Sequence, residues 1–541
     1  MTVSQTYLSI CGISCRLVKQ KLVFWQNIGQ INAGSRPYYK KLHHKSPKTL
    51  LKPTRNCILI SKNTSEISFS VGIVRKICVG EIFSINFAAL NIKIMIQDIT
   101  ISNFFSVREP LRVSFEASKE KQYGEDWIIQ IGNFRLLKAI LLYGANGSGK
   151  TNILCALDFV RHIILNIPYD VDQEFNYLRF ALDPECKQKY TEFDMHFFID
   201  DLRYRYRLLI SPKKIIEEEL RIYHNGNNSR SVYSRKFNEE KGVNVVRFGT
   251  WMPLTPKERK SIEEATTANI SVLSAYSTRN ISCDELTKVR NYFKYEFFKL
   301  YDVDGADQEV AKAVKEDSNF KSILIDLLQT FHSNIVDIKV EEEKRQIPEE
   351  AREFLIKMNP SESERDVIAN LKTLSKWTSK YVHRTEKGEF ALSDELQSEG
   401  TRSFIRHLAL FYKAIKGNWL MALDEFGAGM QAKTQHLLLD FFLKFSRNSQ
   451  LIFATQSLGF LDFPSMRRDA IQIVSKDKNI GETKLDASTV RGIHKNIKLR
   501  KAYNDGRFTT IDPNEPDVDL SERAIQYQTL IFGAKKKGGE E

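Results

Sequence analysis

The stretch "LLYGANGSGKTN", residues 141–152, decides the fold. Gly144 to Thr151 fits glycine, four residues, glycine, lysine, then serine or threonine. An apolar run precedes it (Leu136, Leu137, Ala139, Ile140, Leu141, Leu142), and Ile153, Leu157, Val160 and Ile164 follow at helical spacing, which predicts a helix over Asn152 to Leu165. Glycines between a buried strand and a helix let backbone N–H groups turn inward around phosphates, and the helix N-terminus adds partial positive charge. Gly144, Asn146, Gly147, Ser148 and Gly149 are the expected cradle. Lys150 would reach the β- and γ-phosphates, and the Thr151 hydroxyl would ligate magnesium. The plainer reading is a glycine turn joining strand to helix.

A second stretch, "NWLMALDEF" at 418–426, reads as a buried strand over Trp419 to Leu423 that ends in two carboxylates. Asp424 is the expected second magnesium residue. Glu425, one position on, is placed to poise a water for attack on the γ-phosphate. Hydrophobic residues followed by two acids are common after strands; the glycine loop gives this pair its meaning.

The two motifs lie about 275 residues apart, too far for a small kinase or GTPase. Just before the second, "LQSEGTRSFIRHLALFYKAI" (396–415) reads as a helix opened by Ser398, Gly400 and Thr401, with Phe404, Leu408 and Phe411 on its apolar face. A serine and a glycine at a helix start make another anion site. One chain needs a single γ-phosphate grip of the first kind, so this second site is expected to serve a neighbour's nucleotide; the simpler reading is an ordinary Ser398 N-cap.

Elsewhere the pattern alternates. Residues 95–142 read as strands. The stretch 190–236 reads as antiparallel strands with turns at Asp200–Asp201 and Asn225–Gly226. Residues 255–385 are charged, poor in glycine and mostly helical in period, with helix starts near Pro348 and Pro360. Sustained heptads are missing, which predicts a compact helical lobe rather than a coiled-coil arm. Residues 386–494 return to alternating helix and strand, and 495–541 read as a tail.

The chain has 541 residues and a formal net charge of +13. That charge is local: residues 1–94 hold 14 Lys+Arg against two Asp+Glu, while the remainder holds 66 against 65. The basic segment lacks a secretory pattern. It reads as a targeting or nucleic-acid-binding arm, a poorly ordered tail, or sequence upstream of the true start; the abrupt change at Met95 favours the last. The seven cysteines show no CxxC spacing, which points to a reducing, cytoplasmic setting without disulfides or structural zinc. No apolar run is long enough to span a bilayer.

The order of motifs resembles the ABC-type ATPase heads of the SMC and RecF group. "GANGSGKT" is similar to their first motif, "SEGTR" to their signature and "LMALDEF" to their second, while "LIFATQS" (451–457) stands where their switch strand ends. "NFFSV" (103–107) and "LRKAYNDGRF" (499–508) resemble motifs of the AAA-family ATP-binding proteins of bacterial abortive-infection and restriction-linked loci. The resemblance covers about 95–510 and implies an α/β P-loop NTPase, an ABC-type head with an antiparallel β subdomain and an inserted lobe.

It also implies ATP and Mg²⁺ held between two heads, each loop covered by the partner's Ser398, Gly400 and Thr401. Gln456 stands at a position the family usually gives to histidine, which implies slow hydrolysis. Gln397 replaces the usual acidic residue before Ser398. His383 matches a family histidine or is an ordinary surface residue. About 84 residues follow the switch strand, few for a fused nuclease, so a separate effector, a nuclease or toxin, is expected. The implied role is the ATPase of an anti-phage system. Two other readings stand beside it: a DNA-repair ATPase that binds DNA, and a nucleotide-binding subunit that hardly hydrolyses.

Overall fold

The computed structural model describes residues 94–487, apart from 121–122, 169, 225–227, 298, 302, 332, 347–348, 350–351 and 354–372, together with 497–505, 527 and 530–531. The basic extension other than Ile94, the helix starts expected at Pro348 and Pro360, the turn at Asn225–Gly226 and most of the tail lie outside the described residues.

Two large sheets carry the molecule. The first is antiparallel and seven-stranded, in the order β10-β9-β8-β7-β6-β1-β2. Its strands are β1 (Ile94–Ser102), β2 (Leu111–Ser114), β6 (Thr191–Ile199), β7 (Leu202–Ile210), β8 (Ile215–His224), β9 (Asn228–Asn238) and β10 (Val243–Phe248). Along β7, Tyr204, Tyr206, Leu208 and Ile210 are buried while Arg203, Arg205 and Arg207 face outward. That period of two is why this stretch was legible as strand. The expected turn at Asp200–Asp201 joins β6 to β7, and His224 pairs with Asn228 across the β8–β9 turn. Two short strands, β3 (Ile128–Ile131) and β4 (Phe134–Leu137), form a separate ribbon.

The second sheet runs β11-β15-β16-β5-β17-β18. It is built from β5 (Ala139–Tyr143), β11 (Lys299–Tyr301), β15 (Leu420–Leu423), β16 (Gln450–Thr455), β17 (Ile471–Lys476) and β18 (Thr483–Ala487). The first five are parallel and β18 is antiparallel to β17. Every residue of β5, β15 and β16 is buried, as expected of parallel strands covered on both faces. Three long helices border this sheet: α1 (Lys150–Leu165), α7 (Glu399–Gly417) and α8 (Ala432–Phe445). In α1, Ile153, Leu157, Val160 and Ile164 are buried, each removal from water stabilising by about 1.5–3 kcal/mol.

Gln450, at the start of β16, joins the sheets: its side chain accepts from the Ile96 N–H at 2.7 Å and donates to the Ile96 and Leu137 carbonyls, both at 3.1 Å. The α/β class with an antiparallel β subdomain is thus the observed one.

The insertion departs from expectation. Its first part is helical: α2 (Pro256–Ala265), α3 (Val272–Ser277), α4 (Asp284–Asn291), α5 (Asp307–Glu316) and α6 (Ser318–Thr330). The remainder, read as mostly helical, contains β12 (Ile335–Gln346) and β13 (Thr373–Thr385), which form a three-stranded antiparallel sheet with β14 (Gly388–Ser393) from the segment that follows. A register shift between Ile335 and Asp337 explains the misreading. It puts the buried Ile335 and Ile338 on one face though they stand three residues apart, a helical spacing, and residues 341–345 are all charged. The three-residue strand β11 was also unforeseen; it lies within the insertion yet extends the parallel sheet beside β15.

Candidate functional site

Between β5 and α1, the chain turns through Gly147 at φ 79° and Gly149 at φ 105°, conformations that side chains with a Cβ resist. A Cβ on Gly149 would also overlap the Thr483 hydroxyl. Lys150 folds back over the loop, donating to the Gly144 carbonyl at 2.7 Å and the Ala145 carbonyl at 2.9 Å. Burial pulls its ammonium below its ordinary pKa, opposed by the carboxylates of Asp424 and Glu425. Asn146, Gly147 and Thr151 are exposed at the loop's crest. The Ser148 hydroxyl is buried and has no hydrogen-bond partner among the described residues. A glycine loop at a helix N-terminus, with an inward lysine and an unspent buried donor, fits a phosphate.

The strand order brings the second motif to this loop. Because β16 lies between β5 and β15 and all three are parallel, their carboxyl ends stand side by side at the edge where open parallel sheets bind ligands. There the Thr151 hydroxyl donates to Asp424 Oδ2 at 2.7 Å, across 273 residues of sequence. Glu425 follows, exposed and at φ 55°. A left-handed non-glycine residue costs about 1–3 kcal/mol, which the surrounding turn must offset. The exposed Gln456 follows the last residue of β16, and its carbonyl accepts from the Tyr143 hydroxyl at 3.3 Å.

The tips of β15 and β16 are tied together. Thr455 Oγ1 donates to the Phe426 carbonyl at 2.8 Å. Gln435 of α8, buried, donates to the carbonyls of Gly427 at 2.8 Å and Met430 at 3.1 Å and accepts from the Ser457 hydroxyl at 2.8 Å.

Several residues here were not singled out from sequence. The "NFFSV" stretch is a tight turn between β1 and β2, with Asn103 at φ 52° and Phe105 at φ 49°. Asn103 holds it by accepting from the Phe180 N–H at 3.0 Å and donating to the Cys186 carbonyl at 2.8 Å. The turn aims Ser106 under the glycine loop, where its hydroxyl meets Thr483 Oγ1 at 2.7 Å and accepts from Asn152 at 2.6 Å. Thr483 in turn donates to the Ser148 carbonyl at 2.9 Å. From the other terminal motif, Tyr503 in the short helix α9 (Leu499–Asn504) packs edge-to-face on Tyr143, ring centroids 4.8 Å apart. Resemblance drew attention to both motifs; their contacts span hundreds of residues, and no local pattern encodes them.

The third motif sits elsewhere. Ser398 caps α7, accepting from the Thr401 N–H at 3.2 Å, and its hydroxyl lies 2.8 Å from that of Thr401. A Cβ on Gly400 would stand 3.2 Å from the Gly429 carbonyl, so the helix start abuts the loop after Glu425. Gln397 reaches His383 at 3.2 Å, and His383 in turn contacts Asn334 at 2.7 Å. None of the hydrogen bonds of Ser398, Gly400 and Thr401 among the described residues reaches the 144–151 loop.

Farther along α7, the lobe is bound by charge. Arg406 grips Asp307 at 2.5 and 2.9 Å, Lys413 pairs with Glu309, and Asp317 accepts from Tyr412 at 2.6 Å and Lys416 at 2.9 Å. Among the described residues no group of three or more His, Cys, Asp or Glu could hold a metal alone. Magnesium bound through one hydroxyl, one carboxylate and substrate phosphates needs no such group. No helix among them is long and apolar enough to cross a membrane.

Residues 140–462 match the family described as "AAA domain, putative AbiEii toxin, Type IV TA system". No curated protein matches the chain. Similar solved structures include an SMC head bound to the C-winged helix domain of ScpA (13% identity, 72% of this chain and 97% of that one, TM-score 0.35). The SMC head domain from Thermotoga maritima is similar at 12% identity, over 72% of this chain and 98% of that one, with TM-score 0.31. An SMC head with an extended coiled coil, bound to the C-terminal domain of ScpA derived from Pyrococcus furiosus, gives 14% identity, 76% and 98%, and TM-score 0.30.

Proposed function

The chain belongs to the AAA-domain family matched over residues 140–462, and from that premise we propose that it is an ATP-binding and hydrolysing switch whose heads dimerise around ATP. The observation that supports this reading is the 2.7 Å bond from Thr151 to Asp424, which joins the glycine loop's helix to the carboxylate at the end of β15. In this reading Gly144 to Gly149 cradle the phosphates, and Lys150 leaves its two carbonyl partners for the β- and γ-phosphates. Thr151 and Asp424 hold Mg²⁺, which would neutralise charge developing on the phosphates. Glu425 takes the proton of the attacking water, and Gln456 faces the γ-phosphate from the neighbouring strand end.

The exposed start of α7, with no bond to its own loop, supplies Ser398, Gly400 and Thr401 to a partner's nucleotide. ATP then favours the paired state by its higher affinity for it, and hydrolysis releases the pair. The family's description names a toxin of a toxin–antitoxin system. In line with it, the switch acts in anti-phage defence with a separate effector, a nuclease or toxin.

Turnover and particle size test this together. Glu425→Gln is expected to lower ATP hydrolysis roughly 100-fold or more. It should also accumulate a dimer or larger oligomer in ATP and Mg²⁺, by light scattering, while Lys150→Ala stays unpaired. A Glu425→Gln protein that hydrolyses normally, or that never pairs, would overturn the proposal. A DNA-repair ATPase would instead show turnover stimulated by DNA and falling steeply with salt.

A further inference from the structure

The glycine loop is flanked asymmetrically. On one side, through β16 to β15, stand Asp424 and Glu425. On the other, through β17 to β18 and across to the β1–β2 turn, stand Thr483 and Ser106. With the terminal phosphate of a triphosphate toward the carboxylates, the second flank is the side left for its nucleoside.

That flank has an apolar surface. Leu182 is 58% exposed, Ile480 38% and Leu178 37%, and half-buried Phe105 lies beside them. Two contacts draw their segments together: the Phe105 N–H donates to the Leu178 carbonyl at 2.8 Å, and the Leu182 side chain lies against Gly481, where a Cβ would overlap its methyl group. Gly481 and Ile480 belong to the β17–β18 turn, closed by bonds from Asp477 to Glu482 and from Gly481 to Asp477, both at 2.8 Å. Two residues on is Thr483, whose side chain touches the place a Gly149 Cβ would occupy. An Arg108–Asp183 ion pair at 2.8 Å pins the loop carrying Leu182 to the β1–β2 turn. Three chain segments far apart in sequence thus present aliphatic and aromatic surface to water next to the loop.

We propose that Phe105, Leu178, Leu182 and Ile480 form the platform on which the nucleoside of the loop-bound nucleotide lies, its base covered face-on by hydrocarbon. The assignment rests on the proposed nucleotide site and deepens it. Purine rings are flat and apolar on their faces, so covering them removes apolar surface from water on both sides.

Binding of ATP and of inorganic tripolyphosphate, each measured by displacement of a fluorescent ATP analogue, tests the platform in the full chain. The variants are Leu182→Ser, Ile480→Ser and the pair, all at exposed positions that leave the core intact. The paired variant is expected to weaken ATP roughly tenfold and leave tripolyphosphate unchanged, while Lys150→Ala weakens both. Unchanged ATP affinity in the serine variants, with Lys150→Ala still weakening both ligands, would overturn the platform and spare the phosphate site. Equal weakening of ATP and tripolyphosphate by the serine variants would overturn it too, because the side chains would then act on the phosphate loop. Unchanged ATP affinity in Lys150→Ala would remove the nucleotide site, and the platform with it.

Discussion

The two large sheets handle charge in opposite ways. Across the antiparallel sheet every strand carries it, and most is matched on the spot. Outside, Arg205 grips Asp194 at 2.5 and 2.8 Å, Arg207 bridges Glu192 at 2.6 Å and Glu217 at 3.0 Å, and Arg221 meets Glu219 at 2.8 Å. Inside, Arg235 and Glu218 are fully buried 3.6 Å apart. Glu218 accepts from Tyr206 at 3.1 Å and Tyr233 at 2.8 Å, and Arg235 donates to the carbonyls of Thr267, Ala268 and Ile270. The central strands of the parallel sheet, β5, β15 and β16, carry no charge at all until they end; there Asp424, Glu425 and Lys150 gather at one edge. Density of ionisable groups therefore points to the wrong sheet. Groups placed at strand ends, strained or short of partners, point to the right one.

That contrast can be broken where charge is most deeply matched. Arg235→Ala leaves Glu218 buried without its cation and strips three carbonyls of a donor; it should lower stability by about 3–5 kcal/mol. If the antiparallel sheet is scaffold only, the variant's affinity for ATP, measured well below its melting temperature, stays at the wild-type value. Next in size, Ser106→Ala reaches the nucleotide loop from the antiparallel sheet's own turn. Losing its bonds to Thr483 and Asn152 should weaken ATP by roughly tenfold, about 1.4 kcal/mol, with far less change in melting temperature than Arg235→Ala.

Smallest is Asp317→Asn, where matched charge binds the lobe to α7. The hydrogen bonds from Tyr412 and Lys416 hold the Asp317 carboxyl down to about 2, from an ordinary 3.8. Its contribution is present above the unfolded value and lost as pH falls through the folded one. Discounted for partial exposure, the variant should lose about 1 kcal/mol at neutral pH, and the gap from wild type should close as pH falls from about 4 toward about 2, in urea titrations.

Much of the site was readable because it is written in short local words. The glycine loop, the apolar strand ending in Asp424 and Glu425, and the Ser398-capped helix each declare themselves within a dozen residues. Alternation revealed the β6–β7 hairpin because one face is covered and the other wet. The insertion misled for a physical reason: a bulge at Ile335–Asp337 shifts the buried set to a helical interval, and strands whose outer parts face water need no apolar period. Ser106, Asn152 and Thr483 were unreadable for another. Each is an unremarkable hydroxyl or amide in its own segment, and only folding puts Ser106 beside Thr483, 377 residues away. Gln435 is the same case, a polar residue on an amphipathic helix until its amide is seen joining Gly427, Met430 and Ser457.

The cross-ties made by Thr455 and Gln435 leave the tips of β15 and β16 without independent freedom. Whatever tugs on Gln456 also drags the turn beyond Glu425, and that turn ends at Gly429, against the opening of α7. If the proposed nucleotide site is right, loss of a phosphate at Gln456 would reach the helix end as the shift of one stiff piece, with no relay of separate side chains in between.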